Sequence, residues 1–171
     1  LPIKQVELQE LQHKLEETSD LVRGGRWPAL TKTVTKCQSL LKKYQSRIVQ
    51  ELPNEKKKIA EKTFSELKKN FDSLQDHAKS KDKYSFVATR KEALDKIGGI
   101  EEYFLPNQFP YYIPKEFDNL PRLLGRAKVN IKTSKGDMKA IVDGFNAPLT
   151  AGAFIDLSSK NFYKDLPINR A

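Results

Sequence analysis

The side chains able to cut, transfer or ligate are few in this sequence, and their spacing favours none of those reactions. Cysteine occurs once, at Cys37, and histidine twice, at His13 and His77. A single cysteine cannot form a disulfide within the chain. His13 and His77 read as standing without Cys, His or carboxylate partners at ligand spacing, so neither a metal site nor a bound cofactor is expected. Cys37 falls within an apolar stripe, which makes it a packing residue; a reactive thiol needs an exposed, electropositive surrounding. What remains is binding chemistry. Lys56, Lys57 and Lys58 form the densest basic run, and Phe109, Tyr111, Tyr112 and Phe117 lie among Pro106, Pro110 and Pro114. Both groups are candidate partner-binding residues, the first electrostatic and the second apolar.

Charge narrows the class of partner. The formal net charge is +9, with 38% hydrophobic and 31% charged residues. Up to Leu105 there are 21 Lys/Arg against 16 Asp/Glu, and 10 against 6 afterwards, so acids read as interspersed throughout. Even Lys56-Lys57-Lys58 sits beside Glu55 and Glu61. Nucleic-acid modules pair a one-signed stripe with stacking aromatics or a recognisable motif, and neither is present, so no nucleic-acid partner is expected. The lysines predict solvated helix faces, with attraction to an acidic protein or membrane surface as the functional reading. No apolar run approaches the roughly 18 residues that span a bilayer, so any membrane association is predicted to be peripheral. The sequence opens on Leu1 with no basic and apolar leader after it, from which a targeting peptide is expected to have been removed.

These groups must be positioned by helices over the first hundred residues. A first helix is predicted from about Ile3 to Arg23, with Leu8, Leu11, Leu15, Thr18 and Val22 inward and Gly24-Gly25 closing it. A second begins near Trp27, with Pro28 suited to the first helical position. Its stripe of Trp27, Leu30, Val34, Cys37, Leu41, Tyr44 and Ile48 alternates steps of three and four, the seam of antiparallel bundles. Leu52-Pro53-Asn54 breaks the chain, with Asn54 as N-cap. The third helix then carries Ile59, Thr63, Leu67, Phe71, Leu74 and Ala78. After a polar Ser80–Lys83 turn, a fourth runs from about Tyr84 to Ile97 with Tyr84, Val87, Leu94 and Ile97 inward, ending at Gly98-Gly99. Four amphipathic segments with short breaks predict an up-down four-helix bundle, residues 1–103.

Residues 104–124 carry too many prolines for a helix and too many aromatics for a loose linker, predicting an ordered, extended connecting strap. From Gly125 the period becomes two: Ala127, Val129 and Ile131 alternate with polar residues, and after Thr133–Asp137 a second strand runs from Met138 to Asp143, a β-hairpin. Pro148 opens a helix with Phe154 and Leu157 inward. Phe162–Asp165 turns again, and Leu166 would start another strand.

The closing stretch "AIVDGFNAPLTAGAFIDLSSKNFYKDLPINR" resembles the first part of the cyclophilin fold, through Asn146-Ala147-Pro148, Thr150, Phe154, Leu157, Phe162-Tyr163 and Arg170. Upstream, "KIGGIEEYFLPNQFPYYIPKEFDNLPRLLGRAKVNI" resembles the junction of the thylakoid-lumen cyclophilins of about forty kilodaltons in plants and algae, which place a helical bundle before a divergent cyclophilin domain. The resemblance covers essentially the whole chain, resting in the bundle on pattern more than identity. It implies a mainly α fold: a four-helix bundle like the Q-type extrinsic subunit of photosystem II, the Pro/aromatic strap, and residues 125–171 as the incomplete start of a cyclophilin-type barrel. It also implies a thylakoid-lumen location and a partner among the lumenal subunits or assembly intermediates of photosystem II. Arg170 alone lies on a family catalytic position. Asn169 stands where standard members have histidine and Ile168 where they have phenylalanine, and two strands with one helix cannot close a barrel. The primary expectation is therefore a non-catalytic association with photosystem II through the bundle. The alternative is a peptidyl-prolyl cis-trans isomerase whose remaining cyclophilin domain lies outside this chain.

Overall fold

In the computed structural model, which describes residues 1–105 and 108–167, the chain divides into two compact units, Ile3–Leu105 and Pro106–Ala171. The first unit is the predicted bundle. Its helices are α1 (Val6–Glu16), α2 (Thr18–Arg23), α3 (Trp27–Glu51), α4 (Asn54–Ser80) and α5 (Lys83–Glu101). α1 packs against α3 and α5, and α4 packs against α3 and α5, so the long helices close a ring around one core. Leu8, Leu11, Leu15, Leu30, Val34, Cys37, Ile48, Phe64, Leu67, Phe71, Leu74, Phe86, Ile97 and Ile100 are all but inaccessible to solvent. Each large apolar side chain taken from water contributes about 1.5–3 kcal/mol, and this shared core holds the unit together.

The predicted first helix is two. Gln5 caps α1, its Oε1 accepting from the backbone N–H groups of Glu7 at 3.0 Å and Leu8 at 3.2 Å. The helix breaks at Glu17, and Arg90 of α5 reaches the break. Its guanidinium donates to the carbonyls of Leu15 at 3.3 Å and Glu16 at 3.1 Å and to Thr18 Oγ1 at 2.9 Å. Carbonyls at a helix end have no partner within the helix, and a cation from across the bundle supplies one here.

Two predicted stripes shift. In α4 the inward residues are Ala60 and Phe64, and Ile59 is 52% exposed, because the stripe counted back from Leu67 by four where the helix uses three. In α5 Phe86, Ala93, Ile97 and Ile100 are buried, leaving Tyr84 at 89% exposure and Val87 half exposed. Periodicity alone cannot choose between the adjacent Phe86 and Val87, and the Phe86 ring takes the inward side of α5. Asp82 is its N-cap, with Oδ1 accepting from Ser85 N–H at 3.1 Å, and Lys81 takes a left-handed φ of 59° to end α4. Asn54 is likewise the first residue of α4 rather than its cap. Gly98-Gly99 does not stop α5, which runs on to Glu101; no neighbour crowds either glycine, and the flanking Ile97 and Ile100 anchor the turn in the core.

The second unit contains β1 (Arg126–Thr133), β2 (Gly136–Asp143) and α6 (Pro148–Ser159). The strands pair antiparallel from Arg126 opposite Asp143 to Thr133 opposite Gly136. β2 starts two residues earlier than expected, because Gly136 adopts a φ of 129° that lets the chain turn within two residues. The connecting segment is not extended throughout, since Lys115–Phe117 forms a turn of 3-10 helix. Residues 121–125 lie directly on two glycines. A Cβ on Gly144 would meet the Leu123 carbonyl oxygen at 2.0 Å, and one on Gly152 would meet Arg122 Cα at 2.3 Å. Leu123 N–H donates to the Pro148 carbonyl at 3.0 Å, and Gly144 N–H to the Gly125 carbonyl at 2.7 Å. No strand is present at Leu166 or Pro167.

Candidate functional site

The predicted chemistry-bearing residues separate cleanly by environment. Cys37 is a free thiol, wholly buried among the α3 seam residues. Burial pushes its pKa up from 9.0 to about 12, with the Lys14 charge opposing and the Glu17 charge adding to the shift. A thiol held neutral at physiological pH is a poor nucleophile. His13 is not alone as the spacing suggested, since its Nδ1 lies 3.4 Å from the Glu16 carboxylate one turn on, at the surface. Among the described residues no group of three or more His, Cys, Asp or Glu side chains is placed to hold a metal ion.

The aromatic candidates gather on the second unit. Phe109 stacks on Phe145, with centroids 5.9 Å apart and planes 12° from parallel, and meets Tyr111 edge-on at 5.6 Å. Phe109 is thereby committed to packing, while Tyr111 is 52% and Tyr112 81% exposed. Two adjoining shallow clefts run beside them. One, of about 300 Å³, is lined by Tyr112, Ile113, Pro114, Phe117 and the Ala147–Thr150 start of α6. The other, of about 400 Å³, lies between Tyr111, Tyr112, Ile113, Phe145, Asn146 and Pro148. Such a surface can take an apolar side chain or a proline ring, and its polar side chains are the hydroxyls of Tyr111, Tyr112 and Thr150 and the amide of Asn146. Pro148 belongs to both walls because it opens α6. Arg170, the carried-over catalytic position, lies outside the described residues.

The Lys56–Lys58 run occupies the first turn and a half of α4. Cations there oppose the positive end of the helix dipole, at a cost of a few tenths of a kcal/mol each. Part of that is offset for Lys56, whose Nζ lies 5.4 Å from the centre of the Tyr103 ring. Lys57 is half-buried and Lys58 exposed.

A second basic surface escaped the sequence reading, which took acids to be interspersed throughout. No Asp or Glu stands between Asp20 and Glu51, while Arg23, Arg26, Lys32, Lys36, Lys42, Lys43 and Arg47 all fall in that stretch. Nearly all of it is α3. The signal was available in the acid-free span, but whole-segment totals average it away because α4 and the chain before α3 are rich in carboxylates. Among the described residues Arg23 reaches Asp20 at 3.8 Å, and Arg47 reaches Glu7 at 2.8 Å and Glu51 at 3.6 Å; the four lysines between them have no carboxylate within 4.0 Å. Glu51 also accepts from Gln5 Nε2 at 2.7 Å, so this group pins the start of α1 to the end of α3.

Comparison with known proteins gives these surfaces a family. Residues 1–105 match the PsbQ-like domain described for CYP38-like peptidyl-prolyl cis-trans isomerases. The whole chain is 37% identical to a Synechocystis sp. protein whose name assigns it as a thylakoid lumen peptidyl-prolyl cis-trans isomerase, and covers 45% of that protein's length. It is 30% identical to the chloroplastic peptidyl-prolyl cis-trans isomerase CYP38 of Arabidopsis thaliana, again over the whole chain and 41% of the relative. The chloroplastic CYP37 of the same plant matches 45% of the chain at 28% identity. The chain thus spans less than half the length of the first two relatives. With a closed bundle matching the PsbQ-like domain, and the family resemblance continuing to the chain's last residue, the chain belongs to the CYP38-like family of thylakoid-lumen cyclophilin-type proteins.

Proposed function

We propose that this chain is part of a thylakoid-lumen protein that associates with photosystem II, as an extrinsic subunit or an assembly or repair factor, and that it binds through its helical bundle. The observation that carries the reading is the match of residues 1–105 to a PsbQ-like domain, which folds here with its own complete core. A bundle whose apolar stripes are satisfied internally keeps its outer faces for docking, and those faces carry an excess of lysine suited to acidic lumenal loops. No helix among the described residues is long and apolar enough to cross a membrane. The test is co-sedimentation of the tagged protein with solubilised photosystem II complexes and their assembly intermediates on a density gradient. Co-migration is expected, and recovery only in the free-protein fractions rejects the reading.

The printed names of the relatives favour a second reading, in which the whole protein isomerises X–Pro bonds. The barrier to that rotation is about 18–20 kcal/mol, so an enzyme must place charge and an apolar wall against the proline. A proline-isomerisation assay on the full-length protein, with Arg170→Ala as control, decides it. Activity lost in that variant supports catalysis, and a rate equal to the uncatalysed background rejects it.

A further inference from the structure

We propose that the solvent face of α3 is the bundle's docking surface and that its partner is an acidic helix of another protein. This rests on the reading above that the bundle is the binding part. Lys32, Lys36, Ser39 and Lys43 follow one another at steps of four, three and four, the same rhythm as the core seam Leu30, Val34, Cys37 and Leu41. At about 100° per residue, a two-residue offset rotates the second seam by roughly 200°, to the side facing away from the core. Lys32, Lys36, Ser39 and Lys43 are all exposed, as are Lys42 and Arg47 beside them. The row is about 17 Å long at 1.5 Å per residue.

Among the described residues no carboxylate pairs with the row. None lies within 4.0 Å of Lys32, Lys36, Lys42 or Lys43; the nearest contact of Lys43 is the Tyr44 hydroxyl at 3.2 Å, which itself donates to Glu10 at 3.0 Å. On the flank toward α4, Gln38 and Thr35 engage Asp72 and Gln75, so Asp72 is turned to a neutral partner. Lys32 and Lys36 are one turn apart, and like charges at that spacing oppose helix formation. The helix therefore carries repulsion that an outside anion would relieve.

The shape selects the class of anion. A seam at three- and four-residue steps with a small hydroxyl, Ser39, between flanking lysines accepts a second helix along its length. Glutamates at the same spacing on that helix would meet Lys32, Lys36 and Lys43 in turn. None of the large exposed apolar side chains lies on α3, so the face has nothing to insert into a bilayer.

The experiment uses the full chain and two triple variants of equal charge. Lys32→Gln/Lys36→Gln/Lys43→Gln removes the row. Lys83→Gln/Lys91→Gln/Lys96→Gln removes the same charge from α5, which packs against α1 and α4 rather than α3. The probes are a labelled designed helix with glutamate at three- and four-residue spacing, and vesicles of equimolar phosphatidylcholine and phosphatidylglycerol. Binding of the acidic helix should weaken by about tenfold in the α3 variant and rise in affinity as salt is lowered, with the α5 variant close to the unmodified chain. Equal weakening in both variants, or binding to vesicles without binding to the acidic helix, overturns the proposal. Photosystem co-sedimentation separates the two readings. If it persists undiminished in the α3 variant, the docking face is wrong and the photosystem association stands. If the unmodified chain fails to co-sediment while the helix selectivity holds, the photosystem reading falls and the α3 face stands.

Discussion

In the bundle Phe64, Phe71 and Phe86 are sealed from solvent within one shared core, whereas in the Pro106–Ala171 unit Ala151 is the one apolar side chain among the described residues that is buried. The hairpin's inward residues Ala127, Val129, Ile131, Ala140 and Val142 are only half covered. Its tightest contacts are backbone against backbone, at Gly144 and Gly152. The bundle is held by volume and the second unit by close approach. The first tolerates changes of surface and resists changes of core size; the second tolerates changes of exposed apolar residues and fails where a single Cβ is added.

The strongest way to break that comparison is Phe71→Ala. Deleting a fully buried ring should cost about 3–5 kcal/mol, read as a lower urea midpoint for the helical circular-dichroism signal. A cost under 1 kcal/mol would mean the core is not close-packed. Gly152→Ala places a methyl group against Arg122 Cα and the Pro121 carbonyl oxygen. Overpacking of this kind costs about 1–3 kcal/mol. Amide exchange should speed up in residues 121–125 and α6 while the bundle amides stay protected; exchange rising equally in α3 and α4 would contradict a separate core for the bundle.

Arg90→Ala removes the guanidinium from the Glu16 carbonyl and from the Leu15 carbonyl, which keeps the Thr18 hydroxyl as a donor, at about 1–2 kcal/mol after allowing for the partial exposure of the guanidinium. Burial lowers the Arg90 pKa and Glu16 opposes that shift, so Arg90→Lys should recover only part of the loss, having no fork to reach three acceptors. Unchanged thermal stability in Arg90→Ala would show that the helix break needs no cap.

The last effect is pH-dependent and is the smallest near neutral pH, where it is absent. Because the folded Cys37 pKa is raised to about 12 from 9.0, the unfolded chain loses its thiol proton first as pH rises. The stabilisation is complete below pH 9 and is lost as pH rises toward 12, by about 1.4 kcal/mol per pH unit at most. Between those limits the unmodified chain should lose stability faster than Cys37→Val. Alkylation of Cys37 should follow global unfolding; rapid labelling of the folded protein would place the thiol at the surface.

Much of this was legible in advance where local and tertiary preferences agree. The α3 seam is read correctly because Leu30, Val34, Cys37 and Leu41 belong to one unbroken rhythm of threes and fours, long enough that the neighbouring Leu40 does not shift its phase. In α4 and α5 apolar residues stand next to one another, as Ile59 beside Ala60 and Phe86 beside Val87, and periodicity cannot choose between them. The phase of each helix was settled by Phe64 and Phe86, whose rings fill the middle of the core. The binding surfaces were less legible. The basic run at Lys56–Lys58 draws the eye because it is contiguous, while Lys32, Lys36 and Lys43 are dispersed and become one row only when wound into a helix.

By itself, then, the sequence determined the four helical segments, the hairpin, the proline-started α6 and the family, because capping residues, periodicity and motif residues act over a few positions. The tertiary structure alone decided which side of α4 and α5 faces inward, where the first helix breaks and which glycines are indispensable. Those outcomes depend on atoms brought together from distant positions: Arg90 with Leu15 and Glu16, Leu123 with Gly144, and Arg122 with Gly152. No local rule can place contacts that exist only after the chain has packed.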